Sequence, residues 1–360
     1  MPIRSSHLII RKHKQSLWKL IFDRKQTNTL NSNQPTKILF DQTENLIGDM
    51  IVNTVAFRAL KRAHPDWTIH VLAGGANRDI IRTNPNVDHI HLFTGTLSVI
   101  KQLRQEKFDI YYCHKNRLAL GDFILLRYIG SRINIGRNKS GFRLFDYSID
   151  QPAETEVDRY VRFLNFLGID DIDRRYDLHL TQEELSWGRS YVETLSGWPI
   201  VVFNRYGNRR GKLFGRARAK QMIAEILRAY PGAAIVLLYS PATKTETVSL
   251  QRELDLDAVQ AATTIRTIRD SAAIIRYADL IVTPDTSIVH IACAFDKPQI
   301  CAYRDQVELK LWRPMSNKAI VLLPRRPSRH VDDVESGEFS RALVTAQKWL
   351  VPHPPAPSPV

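Results

Sequence analysis

Three short stretches of this sequence carry side chains whose types and spacing suit chemistry. The first is Leu46-Ile47-Gly48-Asp49-Met50, directly after an apolar run. Gly48 lets backbone approach a ligand closely. Asp49 falls in the first turn of the helix that follows, where the helix dipole favours an ionised carboxylate. Such a carboxylate can take a proton from a hydroxyl at neutral pH. An aspartate that only caps its helix is the plainer alternative. The second stretch runs from Asn204 through Gly207, Asn208, Arg209 and Gly211 to Lys212 and Phe214. It is a basic, glycine-rich loop at the carboxyl end of an expected strand. It suits a pyrophosphate, with backbone amides and Lys212 or Arg209 as partners; a solvated basic turn has the same composition. In the third, a strand ends at Pro284 and Asp285, Thr286 and Ser287 open a helix. The amides of a first helical turn can bind phosphate, and Asp285 can receive sugar or ribose hydroxyls. His290 lies one turn in, on the side of Thr286. An N-cap with a core histidine explains the same residue types.

Other familiar motifs are missing. No G-x-G-x-x-G follows the first strand, and Gly207 to Lys212 is one residue short of a P-loop and lacks its Ser/Thr. There is no G-x-S-x-G nucleophile elbow. His89 and His91 sit two apart on a strand without a third ligand nearby in sequence, so no metal site is expected.

These residues need elements to position them. From Lys37 onward, short apolar runs alternate with helical segments. Strands are expected over Lys37–Asp41, Thr68–Ala73, Asp88–Phe93 and Phe108–Cys113, with a helix over Asp49–Ala63 and another over Glu154–Leu167. Residues 168–198 read as an interdomain passage. A second series begins at Pro199, with strands over Ile200–Asn204, Ala234–Tyr239, Leu280–Thr283 and Gln299–Tyr303. Its helices fall over Arg216–Tyr230, Ile268–Tyr277, Thr286–Ala294 and Phe339–Leu350. Alternation of this kind predicts parallel sheets covered on both faces, and such sheets bind ligands beyond the carboxyl ends of their strands. The fold class expected is α/β, with two doubly wound Rossmann-like domains facing across a cleft. The division expected is a basic extension over 1–35, domains over 36–180 and 181–335, a helix over 336–351 and a proline-rich, disordered tail over 352–360.

The chain has 360 residues, 44% hydrophobic and 24% charged, which fits two globular cores. No run approaches the ~18 apolar residues of a membrane span, and Leu8-Ile9-Ile10 is too short for a secretory signal. Three scattered cysteines support no disulfide framework, so a cytoplasmic location is expected. The net charge of +14 calls for an anionic partner: nucleic acid, a lipid surface or a phosphorylated substrate. Residues 1–35 hold Arg4, Arg11, Lys12, Lys14, Lys19, Arg24 and Lys25 against only Asp23. Within them, residues 7–22 can form a basic amphipathic helix, suited to an anionic membrane face or to the protein's own surface.

Taken together, in this order and spacing, the three stretches resemble glycosyltransferase family 9, the lipopolysaccharide heptosyltransferases of GT-B fold. Gly48-Asp49 resembles the family's "GD" turn, and Arg58 to Pro65 its "R-A-L-K-R-A-x-P" helix end. Asn84 to Asp88 resembles "NP-x-V-D", and Ser271 to Pro298 contains a stretch resembling the signature "D-[TS]-[GS]-x-x-H-[LI]-A-x-A-x-x-x-P". The resemblance covers roughly residues 37–325. It implies an inverting, metal-independent, cofactor-free sugar transfer from a nucleotide sugar to an anionic glycolipid acceptor, peripheral on the inner face of the plasma membrane. Asp49 would be the base. Asn208, Lys212, Asp285, Thr286, Ser287 and His290 would meet the donor. Acceptor candidates are Gly48, Lys115, Arg117, Arg137 and Lys139. Two departures stand out. Ser287 replaces the usual glycine, and the family's "G-P-x-E" reads Ser240-Pro241-Ala242-Thr243, without its acidic residue. ADP-heptose is the favoured donor, with other nucleotide sugars left open by the second departure. A basic nucleic-acid-binding protein and an inactive scaffold of the same fold are the competing readings.

Overall fold

A computed structural model describes residues 23, 36–150, 152, 154–207, 209, 211–326, 328 and 330–351. The expected helix over 7–22, the tail over 352–360 and Asn208 lie outside the described residues. The chain divides into two units, Met1–Arg174 and Arg175–Val360. The division falls in a stretch, residues 169–181, without helix or strand.

The first unit runs β1 (Lys37–Gln42), α1 (Ile47–Ala63), β2 (Thr68–Ala73), α2 (Gly75–Ile81), β3 (His89–Leu92) and α3 (Leu97–Gln105). It continues with β4 (Ile110–Cys113), α4 (Leu120–Ile129), β5 (Ile133–Arg137), β6 (Tyr147–Ile149) and α5 (Glu156–Phe166). Its six strands form one sheet in the order β3-β2-β1-β4-β5-β6, every pairing parallel. Alternate side chains of a strand face opposite ways, and here both faces are covered. Phe40 and Tyr112 meet Phe57 of α1 and Phe163 of α5. Leu39 and Tyr111 pack with Leu103 of α3 and Phe123 of α4 on the other side.

The second unit runs α6 (Gln182–Glu193), β7 (Ile200–Asn204), α7 (Arg216–Ala229), β8 (Ala234–Leu238), α8 (Lys244–Leu254), β9 (Val259–Ala261) and α9 (Ile268–Tyr277). It ends with β10 (Leu280–Pro284), α10 (Ser287–Ala294), β11 (Gln299–Ala302), α11 (Gln306–Trp312), β12 (Ala319–Leu322) and α12 (Ser336–Ala346). The sheet order β12-β11-β10-β7-β8-β9 repeats that of the first unit, again all parallel. In each sheet the strand order therefore reverses beside the first strand, between β1 and β4 and between β7 and β10. Doubly wound sheets bind ligands at that switch point.

The strands expected from the sequence are present, with ends moved by a residue or two. The expected passage over 168–198 is overturned in its second half, which forms α6. Thr181 caps it, accepting from the Glu184 amide while the Glu184 carboxylate accepts from the Thr181 amide. Gly188 brings α6 against α9, since a Cβ there would stand 2.7 Å from the Ala273 carbonyl oxygen. Arg269, fully buried on α9, donates to Glu184 at 2.7 Å and to the His179 carbonyl at 2.9 Å. Strands β5, β6, β9 and β12 were not expected. Of these, β6 and β9 span only three residues each, too few for periodicity to register.

Candidate active site

In the first unit, Asp49 stands in the first turn of α1, beyond the carboxyl end of β1 and beside the switch point. Its carboxyl is half-buried. The expectation that the helix dipole keeps it readily ionised is not met. Burial, reinforced by the carboxylates of Glu156 and Glu44, pushes its pKa up to about 7. Its own backbone amide and Arg159 pull the other way and lose. Glu156 opens α5, where it is buried, ion-paired with Arg159 and itself pushed upward by desolvation. Arg137, the last residue of β5, is buried too; burial and the neighbouring Arg159 lower its pKa, with Glu156 opposing. His114 is neutral, held down to about 4 by burial, and its Nε2 lies 3.6 Å from Glu44. The two carboxylates and Arg159 went unnoticed in the sequence. The signal was present: Glu156 precedes Tyr160 by one turn, so it shares the buried stripe of Tyr160, Phe163 and Leu164.

The acceptor candidates separate. Gly48 adjoins Asp49, Arg117 is exposed, and Arg137 shares Glu156 and Arg159 with Asp49. Lys115 is buried inside the unit. Its Nζ lies 2.9 Å from Asp41 and 2.5 Å from Asp122, and it donates to Thr43 Oγ1 at 2.5 Å. Burial opposes charge on both partners. The pair outweighs it, so Asp41 is lowered and Lys115 raised. Lys139, 1% exposed, donates to the carbonyls of Lys115 at 2.6 Å and Arg137 at 2.8 Å. These two lysines fix the loop after β4 from within.

In the second unit, the loop after β7 is stapled at its base. Arg205 Nε donates to the Phe214 carbonyl at 2.6 Å, and the Phe214 amide returns a bond to the Arg205 carbonyl at 2.9 Å. Phe214 packs on Phe203 in the core. Gly207 is required where the loop folds on itself, for a Cβ there would lie 2.0 Å from the Lys212 carbonyl oxygen. The loop thereby delivers Lys212 to the switch point, where it forms an ion pair with Asp285 after β10. Both are buried. Desolvation raises the Asp285 pKa, with Lys212 opposing. Thr286 caps α10, its hydroxyl accepting from the Ile288 amide at 3.2 Å. Asn204 Nδ2 donates to Thr283 Oγ1 at 2.9 Å and reaches Thr286 Oγ1 at 3.4 Å. Lys212, Asp285, Thr286 and Ser287 are thus brought together. His290 is buried, with its ring against Tyr176 and Trp312 and its pKa lowered to about 4 by burial and Lys212.

Glu308, Arg304 and Glu246 were also not singled out in the sequence. Glu308 Oε2 lies 3.5 Å from Lys212 Nζ. Glu246 is ion-paired with Arg205, one turn beyond Thr243, whose hydroxyl accepts from the Ser240 amide at 2.9 Å. Among the described residues, no three His, Cys, Asp or Glu side chains are grouped to hold a metal ion. His89 and His91 instead stack on His70, whose Nδ1 lies 2.8 Å from His91 Nε2.

The comparisons with known proteins agree with this architecture. The model of the family described as "Glycosyltransferase family 9 (heptosyltransferase)" matches residues 96–337. Lipopolysaccharide heptosyltransferase 3 of Escherichia coli is 24% identical over 297 residues, covering 76% of this chain and 85% of that protein. Among solved structures, E. coli ADP-heptose lps heptosyltransferase II superposes with a TM-score of 0.71 at 19% identity, covering 87% of this chain and 99% of that one. E. coli heptosyltransferase WaaC with ADP gives a TM-score of 0.65 at 15% identity, covering 86% and 99%. The fold is that of these enzymes, two doubly wound units of the GT-B type.

Proposed function

This chain belongs to glycosyltransferase family 9, and from that premise we propose that it moves a heptose or related sugar from a nucleoside-diphosphate donor to an anionic glycolipid of the lipopolysaccharide type, with inversion and without a metal. ADP-heptose is the favoured donor. The observation that carries the reading is Asp49, a half-buried carboxyl held near pKa 7 at the switch point of the first sheet. A general base works best with its pKa near the operating pH.

In this mechanism Asp49 accepts the proton of the acceptor hydroxyl as its oxygen attacks the anomeric carbon. The carbon becomes oxocarbenium-like as the bond to the leaving phosphate breaks. Negative charge then builds on the diphosphate. Lys212 and the first-turn amides of α10 meet it, a preorganised sink of the oxyanion-hole kind. Asp285 is placed to accept hydroxyl hydrogens of the sugar. Arg137 and Arg117 are the acceptor-side cations left after Lys115 and Lys139 are discounted, and they suit an acidic saccharide. No helix among the described residues is long and apolar enough to cross a membrane. We place the enzyme in the cytoplasm, peripheral at the inner face of the plasma membrane, with residues 7–22 as the contact.

The test is transfer from ADP-heptose to heptose-deficient lipopolysaccharide in the presence of EDTA, with Asp49→Asn beside the wild type. The wild type should transfer and the variant should bind ADP as tightly without transferring. Full activity in Asp49→Asn would remove the assigned base.

A further inference from the structure

We propose that Glu308 is an internal stand-in for the donor's diphosphate, and that Arg304 is a second donor-anion ligand which Glu308 holds in reserve beside Lys212. The proposal rests on the reading that Lys212 faces the donor. It adds two residues to which that reading gives no role.

The geometry begins at two neighbouring strand ends. In the β10–β11 pairing Pro284 lies opposite Ala302, and the Asp285 amide donates to the Ala302 carbonyl at 2.9 Å. Asp285 and Arg304 therefore leave the sheet side by side. Asp305 accepts from the Glu308 amide at 2.8 Å, which starts α11 and turns Glu308 back toward the strand ends. The Glu308 carboxylate then serves two cations at once. Its Oε2 lies 3.0 Å from Arg304 Nε and 3.5 Å from Lys212 Nζ, while its Oε1 accepts from the Arg304 terminal nitrogen. A forked contact to a guanidinium with an ammonium alongside is the pattern a phosphate group draws.

Charge points the same way. Lys212 and Arg304 face Asp285 and Glu308, so the four side chains sum to zero without a ligand. A diphosphate brings more than one negative charge to a site that is already neutral, with side chains between 5% and 24% exposed. Either the carboxylates withdraw or the ligand is repelled. Arg304 is the more exposed of the two cations, so it can turn outward. Once freed of Glu308, the two cations can grip two phosphate groups where Lys212 alone grips one.

The test is titration calorimetry of the full chain with ADP and with inorganic pyrophosphate, and of Glu308→Gln, Arg304→Gln and Lys212→Met. Glu308→Gln keeps the shape and removes the competing charge, so it should tighten both ligands several-fold. Arg304→Gln should weaken both by about tenfold, the size of one charge-assisted hydrogen bond. A merely structural ion pair would lower the melting temperature in both variants and weaken binding in both, and that outcome overturns the proposal. So does unchanged affinity in Arg304→Gln. If Lys212→Met abolishes binding while the other two variants leave it unaltered, the donor reading stands and only the reserve role of Arg304 falls. If neither ligand binds the wild type, or Lys212→Met binds as the wild type does, the donor reading falls and the proposal with it.

Discussion

Replacing Asp49 with asparagine should make the protein more stable at neutral pH while it abolishes transfer. The reason is the direction of the Asp49 shift. In the unfolded chain this carboxyl ionises near 3.8, and in the folded chain near 7. Between those values the native state holds a proton that the unfolded state has lost. Stability contributed by this group therefore falls as pH rises from about 4 to 7. A shift of about 3 units corresponds to roughly 4 kcal/mol at 1.36 kcal/mol per unit. Partial exposure screens it, so about 2 kcal/mol is the expected size at pH 8. Asparagine cannot ionise and escapes the penalty. For a unit of this size that gain raises the melting temperature by roughly 4–8 °C. The assay is thermal unfolding of both proteins from pH 4.5 to 8.5. The difference should be about a quarter of its full value at pH 4.5 and grow to the whole of it above pH 7. A variant no more stable than the wild type at pH 8, or a gap that does not change with pH, would refute the reasoning. A dipole-stabilised Asp49 would give the opposite sign.

Three further outcomes follow from the same structure. The acidic limb of kcat/KM should fall near pH 7, and Glu156→Gln, which removes the larger of two neighbouring carboxylate effects, should move it to lower pH; initial rates from pH 5.5 to 8.5 would show it. Lys115→Met leaves the fully buried Asp41 without its cation and should cost about 3–5 kcal/mol in urea unfolding; a loss below about 1 kcal/mol would mean that the pair fixes nothing. His70, lowered from 6.5 to about 3 by burial and by His89 and His91, is neutral when folded, so stability should drop by about 2 kcal/mol on going from pH 7 to pH 5. His70→Gln should flatten that slope.

How much of this was legible in the sequence follows from what each signal measures. Period and propensity report a strand when it is long and buried, as β1 and β10 are. They pass over β6 and β9, with three residues each. The passage before β7 concealed α6 because its helical face is thin, with Gly188 its one fully buried residue. Its capping box at Thr181 and Glu184 was the readable sign. At the site, Asp49, Lys212 and Asp285 were legible because each follows a strand at a carboxyl end. Glu44, Glu156, Arg304 and Glu308 were not, because their importance comes from what they face across the fold. Whether the Asp49 carboxyl is charged depends on those partners, and local helix geometry alone predicts the wrong direction.

The positive charge of the chain needs the same treatment. A net charge of +14 invites a search for an anionic partner, and each exposed-looking Lys or Arg becomes a candidate. Folding removes several from the search. Lys115 faces two carboxylates, Lys139 is wrapped in carbonyls and Arg269 is locked to Glu184. These cations stabilise the domains that contain them. A cation can act on a substrate only if it is partnered weakly enough to exchange. Arg304 meets that condition differently from Lys115, for its carboxylate is shared with Lys212, which is itself paired with Asp285. The distinction between structural and functional charge therefore lies in how replaceable the partner is, and replacing Glu308 with its neutral isostere is the direct measure of it.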